Sequence, residues 1–205
     1  MARIAMATGR LLSGLGVMPL HGAWRGFCRV LVRVFYRSCE FDGLEHLPRR
    51  GPVILCANHP NALIDAVIIQ AASPRIVHPL ARSGLFRNPL LRPFLAAMQA
   101  VPVHRRQDTG VDPSRNAAMF ERCFQMLAAG GALLIFPEGE SHPDPAMRRL
   151  KTGAARLALG ALECGGAIPV LIPVGLNFTD VGRFRSKVYV KFHPPLALAG
   201  CGNLG

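Results

Sequence analysis

The feature that most constrains the fold is a regular alternation of short, apolar, β-rich runs with segments of helical periodicity. The β-rich runs are Pro52–Ala57, Ile76–Leu80, Ala100–His104, Ala132–Phe136, Ile168–Val174 and Lys187–Phe192. The helical patterns between them lie near Ala62–Ala71, Leu90–Met98, Ser114–Ala129 and Thr152–Glu163. Strands that alternate with helices are typical of α/β domains. We therefore predict an α/β fold with a central, mostly parallel sheet flanked by helices.

A basic amphipathic helix is predicted ahead of the alternating part, over Trp24–Arg37. Its apolar positions are Trp24, Phe27, Cys28, Leu31, Val34 and Phe35, and its arginines are Arg25, Arg29, Arg33 and Arg37. At about 100° per residue the two sets fall on opposite faces. Such a helix suits a membrane interface, with its arginines on lipid phosphates. The pattern fits a helix packed on the protein's own core equally well, and both readings stay open.

The chain of 205 residues has the length of one ordinary domain. We divide it into an N-terminal amphipathic segment that could associate with a membrane (1–38), a main domain (39–195) and a C-terminal tail (196–205). No apolar stretch reaches the roughly 18 to 20 residues that span a bilayer, and Leu11–Leu20 lacks a secretory cleavage site. We therefore expect a peripheral protein on the cytoplasmic side of the cell membrane.

The charge balance indicates anionic partners. Lys and Arg outnumber Asp and Glu by 24 to 12, which gives a net charge of +12. Nucleic acid, anionic lipid and phosphorylated substrates all fit such a charge. No nucleic-acid-binding motif is present, so a nucleic-acid partner is not expected. The six cysteines form no C-x-x-C pair and are predicted to be reduced, buried thiols of a cytoplasmic protein.

The segment from Asn58 to Asp65 carries the strongest chemical signal. It follows the apolar run Val53–Cys56, and Asn61 is a plausible N-cap for the next helix. Polar residues at the carboxyl end of a strand are where α/β sheets place their sites. A histidine with a nearby carboxylate forms a general base with an orienting partner, here His59 with Asp65. Spacing alone also permits a purely structural pair.

Three further strand-end blocks follow. Phe136–Ser141 contains Glu138, which could accept hydrogen bonds from substrate hydroxyls or pair with an arginine, and Gly139, which allows close backbone approach to a ligand. In Val101–Arg106, Arg105 and Arg106 could hold a phosphate. The fourth block, Ile172–Val174, carries little information by itself. Each block has a bland alternative as a turn or a solvated loop.

Together and in this order, the four blocks resemble the glycerolipid acyltransferase family of glycerol-3-phosphate and lysophosphatidate acyltransferases. The matches are Asn58-His59 with Asp65, Val101–Arg105, Phe136–Gly139 with Ser141, and Ile172–Val174. Five residues separate His59 from Asp65 instead of the usual four, a spacing similar to that of a subset of the family. A loop before the helix must absorb the extra residue, because on one continuous helix the two side chains would point about 240° apart.

The resemblance implies acyl transfer from acyl-CoA or acyl carrier protein to a hydroxyl of glycerol 3-phosphate, lysophosphatidate or a related acceptor in phospholipid and phosphatidic acid synthesis. It implies no cofactor or metal beyond this co-substrate. His59 and Asp65 would be catalytic. The residues expected at the substrate are Asn58, Arg105, Arg106, Glu138, Gly139, Ser141 and Lys151.

Two other classes of function remain open from the residues. A metal-dependent hydrolase could use His59, Asp65, Glu138 and His142, although no paired-ligand spacing supports it. A non-enzymatic basic module for membrane or nucleic acid would rest on the charge alone.

Overall fold

The structure of the chain is a computed structural model that describes residues 13–104, 113–144, 146, 148–164 and 167–196. Its strands are β1 (Ser38–Asp42), β2 (Val53–Ala57), β3 (His78–Arg82), β4 (Val101–Val103), β5 (Ala132–Ile135), β6 (Val170–Phe178) and β7 (Lys187–Phe192). Its α-helices are α1 (Ser13–Phe35), α2 (Leu63–Ala72), α3 (Arg92–Ala97), α4 (Pro113–Ala128) and α5 (Gly153–Glu163). Short 3-10 helices lie at Leu44–His46 and Ser83–Arg87.

The seven strands form one sheet in the order β1-β7-β6-β2-β5-β3-β4. Every neighbouring pair is parallel except β6 and β7, which are antiparallel. The predicted α/β fold with a mostly parallel sheet is therefore confirmed.

Alternate side chains of β2 belong to two separate hydrophobic cores. Val53, Leu55 and Ala57 pack in the cluster that contains residues of α1 and α2. Ile54 belongs to the cluster that contains residues of α4 and α5. Successive side chains of a strand point to opposite faces, so helices cover both sides of the sheet.

Two strands, β1 and β6, differ from the sequence prediction. β1 was not predicted, because a five-residue strand with three polar residues (SCEFD) carries little β signal. β6 extends to Phe178 instead of ending at Val174. Its second half contains Gly175 and Asn177, which disfavour strands, yet antiparallel pairing with β7 keeps it extended.

Helix α1 is longer than predicted, because it begins at Ser13 and ends at Phe35. Cys28 and Val32 are buried against the core, whereas Phe27, Val30 and Val34 are exposed. Of the predicted apolar face, Cys28 therefore faces the core, whereas Phe27 and Val34 are exposed. Together with Val30, which was not predicted, they form an exposed apolar strip, which we define as Phe27, Val30 and Val34.

Two of the four arginines that were predicted to lie on the polar face, Arg25 and Arg29, form hydrogen bonds within the protein. Arg29 donates to the carbonyl oxygen of Ala71 at 3.0 Å, and Arg25 donates to that of Pro74 at 3.4 Å. Both carbonyls lie at the end of α2, where cations offset the partial negative charge of a helix. None of the described helices combines the length and apolar character needed to cross a bilayer.

Of the described cysteines, Cys28 and Cys123 are buried, Cys39 and Cys56 are half-buried and Cys164 is exposed, so the prediction of buried thiols is wrong for Cys164. Burial raises the pKa of Cys28 and Cys39 to about 12, and that of Cys56 and Cys123 to about 11. Neutral thiols of this kind behave as small apolar side chains.

Candidate active site

The candidate site lies where four neighbouring parallel strands end. His59 follows β2, the segment Phe136–Gly139 follows β5, Arg82 ends β3 and His104 follows β4. Because β2, β5, β3 and β4 are adjacent and parallel, their carboxyl ends meet at one edge of the sheet. Three blocks distant in sequence thereby converge on one site.

His59 and Asp65 form a hydrogen-bonded pair. Nδ1 of His59 lies 3.0 Å from Oδ2 of Asp65, which is fully buried in the first turn of α2. The His59 ring stacks on Phe136, with 3.8 Å between ring centroids and 16° between planes. A proton held at Nδ1 by the carboxylate would leave Nε2 free to accept a proton from a substrate.

The loop between them absorbs the additional residue through an unusual backbone turn at Ala62 (φ 48°, ψ −129°). The prediction that Asn61 caps the next helix was wrong, since Ala62 occupies the cap position and α2 begins at Leu63. Asn61 instead donates its backbone N–H to Oδ2 of Asp65 at 2.8 Å and its side-chain amide to the Tyr36 hydroxyl at 3.1 Å. The backbone N–H of Ala62 donates to Oγ of Ser141 at 2.8 Å.

Two opposing influences act on the carboxyl of Asp65. Burial raises the pKa of Asp65 above its ordinary value, and the hydrogen bonds from His59 and Asn61 lower it in part. Burial prevails because a charge in the interior loses its hydration.

Glu138 anchors the loop between β2 and α2, residues 58–62, which we name the histidine loop. Its Oε1 accepts the backbone N–H of His59 at 3.2 Å, and its Oε2 accepts the backbone N–H of Arg148 at 3.1 Å and a short contact from Nε2 of His142. Burial by itself would raise the pKa of Glu138, but these hydrogen bonds outweigh it and hold the pKa below its usual range. The sequence interpretation considered His142 only as a metal ligand and missed this pairing.

The histidine loop is also fixed by Asn58 and by the backbone of His142. The Asn58 side chain donates to the carbonyl oxygen of Leu176 at 2.9 Å and accepts the N–H of the same residue at 2.7 Å. The N–H of His142 donates to the carbonyl oxygen of His59 at 3.0 Å. Hydrogen bonds on both sides of His59 thus fix the backbone from which its ring projects.

Lys151 lies over Gly139. The backbone N–H of Lys151 donates to the carbonyl oxygen of Pro137 at 2.8 Å. A Cβ atom placed on Gly139 would lie 2.5 Å from Nζ of Lys151, and Gly139 has a φ of +75°. The absence of a side chain at this position therefore permits both the turn and the approach of the ammonium group.

A largely apolar pocket of about 800 Å³ opens beside His59. Its hydrocarbon wall includes Leu63, Ala66, Leu80, Leu85, Leu91, Leu95, Met98 and Val103. The polar side chains that line it in the described part of the chain are His59, Arg82, His104, Ser141 and Lys151. This size and composition suit a ligand with a long apolar part and a polar end.

Sequence reasoning missed Arg82 and His104 as lining residues. His104 lies inside the block Val101–Arg106, where only the two arginines were selected, and the position of Arg82 at the end of β3 was the available signal for that residue. The predicted residues Arg105 and Arg106 lie outside the described part of the chain.

The four side chains of the metal-hydrolase interpretation form two pairs, His59 with Asp65 and His142 with Glu138. Among the described residues, no three His, Cys, Asp or Glu side chains converge to hold a metal ion. The site can instead take a proton from a hydroxyl near Nε2 of His59 while an apolar chain occupies the pocket.

Comparison with known proteins gives concordant matches. Residues 38–177 match the acyltransferase family profile. The chain is 34% identical to glycerol-3-phosphate O-acyltransferase 2 of Saccharomyces cerevisiae over 42% of its own length and 12% of that protein. It is 40% identical to an uncharacterized acyltransferase of Schizosaccharomyces pombe over 82% of its own length and 38% of that protein. The chain thus spans well under half the length of these relatives.

The fold resembles the crystal structure of PlsC, the 1-acyl-sn-glycerophosphate acyltransferase of Thermotoga maritima. The TM-score is 0.65 at 21% identity, over 88% of this chain and 70% of that one. At this identity the likeness concerns the fold.

Proposed function

The chain belongs to the acyltransferase family, and from this premise we propose that it transfers a fatty acyl group from an acyl thioester to a hydroxyl of a glycerol phosphate. One observation carries the proposal: the hydrogen-bonded pair of His59 and Asp65 borders an apolar pocket of about 800 Å³. A base for a hydroxyl and a cavity for a hydrocarbon chain are the two requirements of this reaction.

His59 acts as the general base. Its Nε2 takes the proton of the acceptor hydroxyl as the oxygen attacks the thioester carbonyl carbon. The tetrahedral intermediate collapses, the carbon–sulfur bond breaks, and the proton passes from His59 to the departing thiolate. Asp65 keeps the proton of the neutral ring on Nδ1 and stabilises the imidazolium. The acyl group passes directly to the acceptor, without a covalent enzyme intermediate.

The acyl chain occupies the apolar pocket. Leu63 and Ala66 from α2, together with Leu95 from α3, form walls with few hydrogen-bonding groups. A hydrocarbon chain gains roughly 0.8 kcal/mol for each methylene that it removes from water, so this wall favours long acyl groups. The donor is acyl-CoA or acyl carrier protein.

Glycerol 3-phosphate is the acceptor that we propose, with lysophosphatidate as the alternative. Lys151 and Arg82 line the pocket among the residues that the structure describes, and they provide positive charge for a phosphate. Arg105 and Arg106 follow β4 in sequence and are proposed as further phosphate ligands. The glycerol-3-phosphate relative from yeast supports this choice.

The remaining predicted site residues act mainly by positioning. Asn58, Glu138 and Ser141 each bind backbone groups of the histidine loop or its neighbours, and Gly139 makes room for Lys151. We therefore propose that they shape the acceptor site through the placement of His59 and Lys151.

Attachment to the cytoplasmic face of the membrane is proposed for the segment 1–38. The exposed apolar strip of α1 would enter the interface, with the exposed Arg33 and Arg37 beside it. The net charge of +12 favours an anionic surface and phosphorylated substrates.

The test is a panel assay of purified protein. Labelled acyl-CoA and acyl carrier protein donors are offered glycerol 3-phosphate, dihydroxyacetone phosphate and lysophosphatidate. We expect esterification of glycerol 3-phosphate, and its loss in His59→Ala with unchanged circular dichroism. Full activity of His59→Ala would remove the mechanism. Turnover that requires stoichiometric zinc or manganese would favour a metal-dependent reaction instead.

A further inference from the structure

A short turn beside the pocket wall presents a leucine to solvent. Leu90 is 83% exposed, the highest value among the exposed large apolar side chains of the described residues. The next residue, Leu91, lines the apolar pocket. We name residues 87–92 the Leu90 turn. Single exposed leucines are common on protein surfaces, so Leu90 is of interest because of its neighbours and not because of its exposure alone.

The Leu90 turn is internally fixed. The backbone N–H of Leu90 donates to Oδ1 of Asn88 at 2.9 Å. The N–H groups of Leu91 and Arg92 donate to the carbonyl oxygen of Asn88 at 3.2 and 3.0 Å. The turn therefore presents Leu90 outward in a defined conformation, which lowers the entropic cost of inserting it into another phase.

The charge around the turn is positive. Arg87 and Arg92 flank Leu90, and both side chains are exposed. Between Asp65 and Asp108 the sequence contains no acidic residue. An apolar tip between two arginines suits an anionic lipid surface, because the leucine enters the acyl boundary while the guanidinium groups stay at the phosphates.

An aromatic contact joins this turn to the exposed apolar strip of α1. Phe94, two residues beyond the turn, lies 5.0 Å from Trp24 between ring centroids, and Trp24 lies 5.6 Å from Phe27. The Leu90 turn and the exposed strip of α1 thus lie on neighbouring elements that share Trp24.

We propose that the Leu90 turn is a second membrane-docking site, which inserts Leu90 into an anionic bilayer and brings the wall of the acyl pocket to the lipid surface. The membrane contact rests on the exposed residues themselves. The idea that this contact brings acyl chains to the pocket rests on the proposed function. Two separated contacts would fix the orientation of the pocket over the bilayer, which a single helix lying on the surface cannot do.

The test is sedimentation of the full chain with vesicles of phosphatidylcholine and phosphatidylglycerol. Leu90→Asp should lower the partition coefficient by about tenfold or more, the loss expected when one leucine is not buried. Arg87→Gln and Arg92→Gln should each lower it about fivefold, and only on anionic vesicles at low salt. Leu159→Asp, an exposed leucine of α5 on the opposite face of the sheet, is the matched control and should bind as the wild type does.

Wild-type binding by Leu90→Asp would overturn the proposal, as would an equal loss in Leu159→Asp. A change in the sedimentation of lipid-free protein, without a change in vesicle binding, would mark the turn as a self-association surface and would also overturn it. A second measurement places Leu90→Trp in a Trp24→Phe background, where brominated lipids should quench the fluorescence. No quenching would contradict insertion.

Turnover of octanoyl-CoA and glycerol 3-phosphate without vesicles is followed in parallel. Failure of the wild type in this soluble assay would count against the proposed function and leave the vesicle result intact. The two hypotheses can therefore fail separately.

Discussion

The backbone N–H of His59 donates a hydrogen bond to Oε1 of Glu138 over 3.2 Å, although 79 positions separate the two residues in sequence. The same carboxylate binds His142 and the backbone of Arg148. The placement of the proposed catalytic base therefore depends on a buried, ionised glutamate that does not touch its ring.

This relationship predicts a pH-dependent stability. The pKa of Glu138 is lower in the folded protein than its ordinary value near 4.5, so its stabilisation is present above that value and is lost as pH falls through the lowered pKa. Glu138→Gln should lower the free energy of unfolding at neutral pH by about 1.5–3 kcal/mol. The loss should shrink as pH falls below the ordinary glutamate range.

Thermal unfolding of both proteins across a pH series measures this effect. Glu40→Gln replaces an exposed glutamate and serves as the control. Parallel curves for wild type and Glu138→Gln would contradict the assignment of an ionised, stabilising Glu138.

Asp65→Asn should lower kcat by a factor on the order of 10²–10⁴, because an amide can hold the imidazole in the wrong tautomer and cannot stabilise its cation. The KM values should change little, since Asp65 is buried and outside the pocket lining. Steady-state kinetics provide the measurement. Asp180→Asn, at a surface ion pair with Arg183, is the control. A kcat within twofold of wild type would exclude an orienting role.

Lys151→Met should raise the KM for glycerol 3-phosphate by roughly 10-fold or more, because the variant loses one charge-assisted hydrogen bond to the phosphate. The KM for the acyl donor should stay near that of the wild type. Lys187→Met removes the same charge from an exposed position on β7 and should leave both constants unchanged. An equal effect of the two variants would indicate a long-range charge effect instead of a phosphate ligand.

Gly139→Ala should combine backbone strain with displacement of the Lys151 ammonium, because the new Cβ would lie 2.5 Å from Nζ. Gly51→Ala isolates the strain, since Gly51 also has a positive φ (+86°) but no atom within 4 Å of the added carbon. Both should lose about 1–2 kcal/mol of stability. Only Gly139→Ala should raise the KM for the acceptor. If the acceptor KM rises equally in both variants, the close approach of Lys151 to Gly139 does not contribute to acceptor binding.

Ala66→Phe should shift donor preference toward shorter acyl chains, because Ala66 is a buried residue of the pocket wall and a phenyl ring would occupy space intended for methylenes. The ratio of kcat/KM for palmitoyl over octanoyl donors should fall by about tenfold or more. Octanoyl turnover is the internal control for folding. An unchanged ratio would place the acyl chain elsewhere.

The alternation of strands and helices was sufficient to predict the layered fold and the edge of the sheet where the site lies. It could not predict β1, because the pairing that keeps Ser38–Asp42 extended comes from β7, far away in sequence. The same applies to the second half of β6, which the local sequence disfavours and the antiparallel partner stabilises.

The separation of His59 and Asp65 in sequence predicts their contact only if the loop turns at one residue. That residue is Ala62, and no local property of alanine favours its positive φ. Ser141 and Glu138 stabilise the turn from outside the loop. The residues of the pocket wall could not be predicted from the sequence either. Leucines that line a cavity and leucines that fill a core follow the same periodicity.

Helix α1 has a practical consequence for handling the protein. Cys28 and Val32 on this helix belong to the hydrophobic core that also contains residues of α2. Arg29 donates a hydrogen bond to a carbonyl oxygen at the end of α2. Deleting this helix to obtain a shorter protein would expose apolar residues of α2 and of the core that the helix covers, and would promote aggregation. Detergent or lipid nanodiscs that cover Phe27, Val30 and Val34 are therefore the better route to a homogeneous sample.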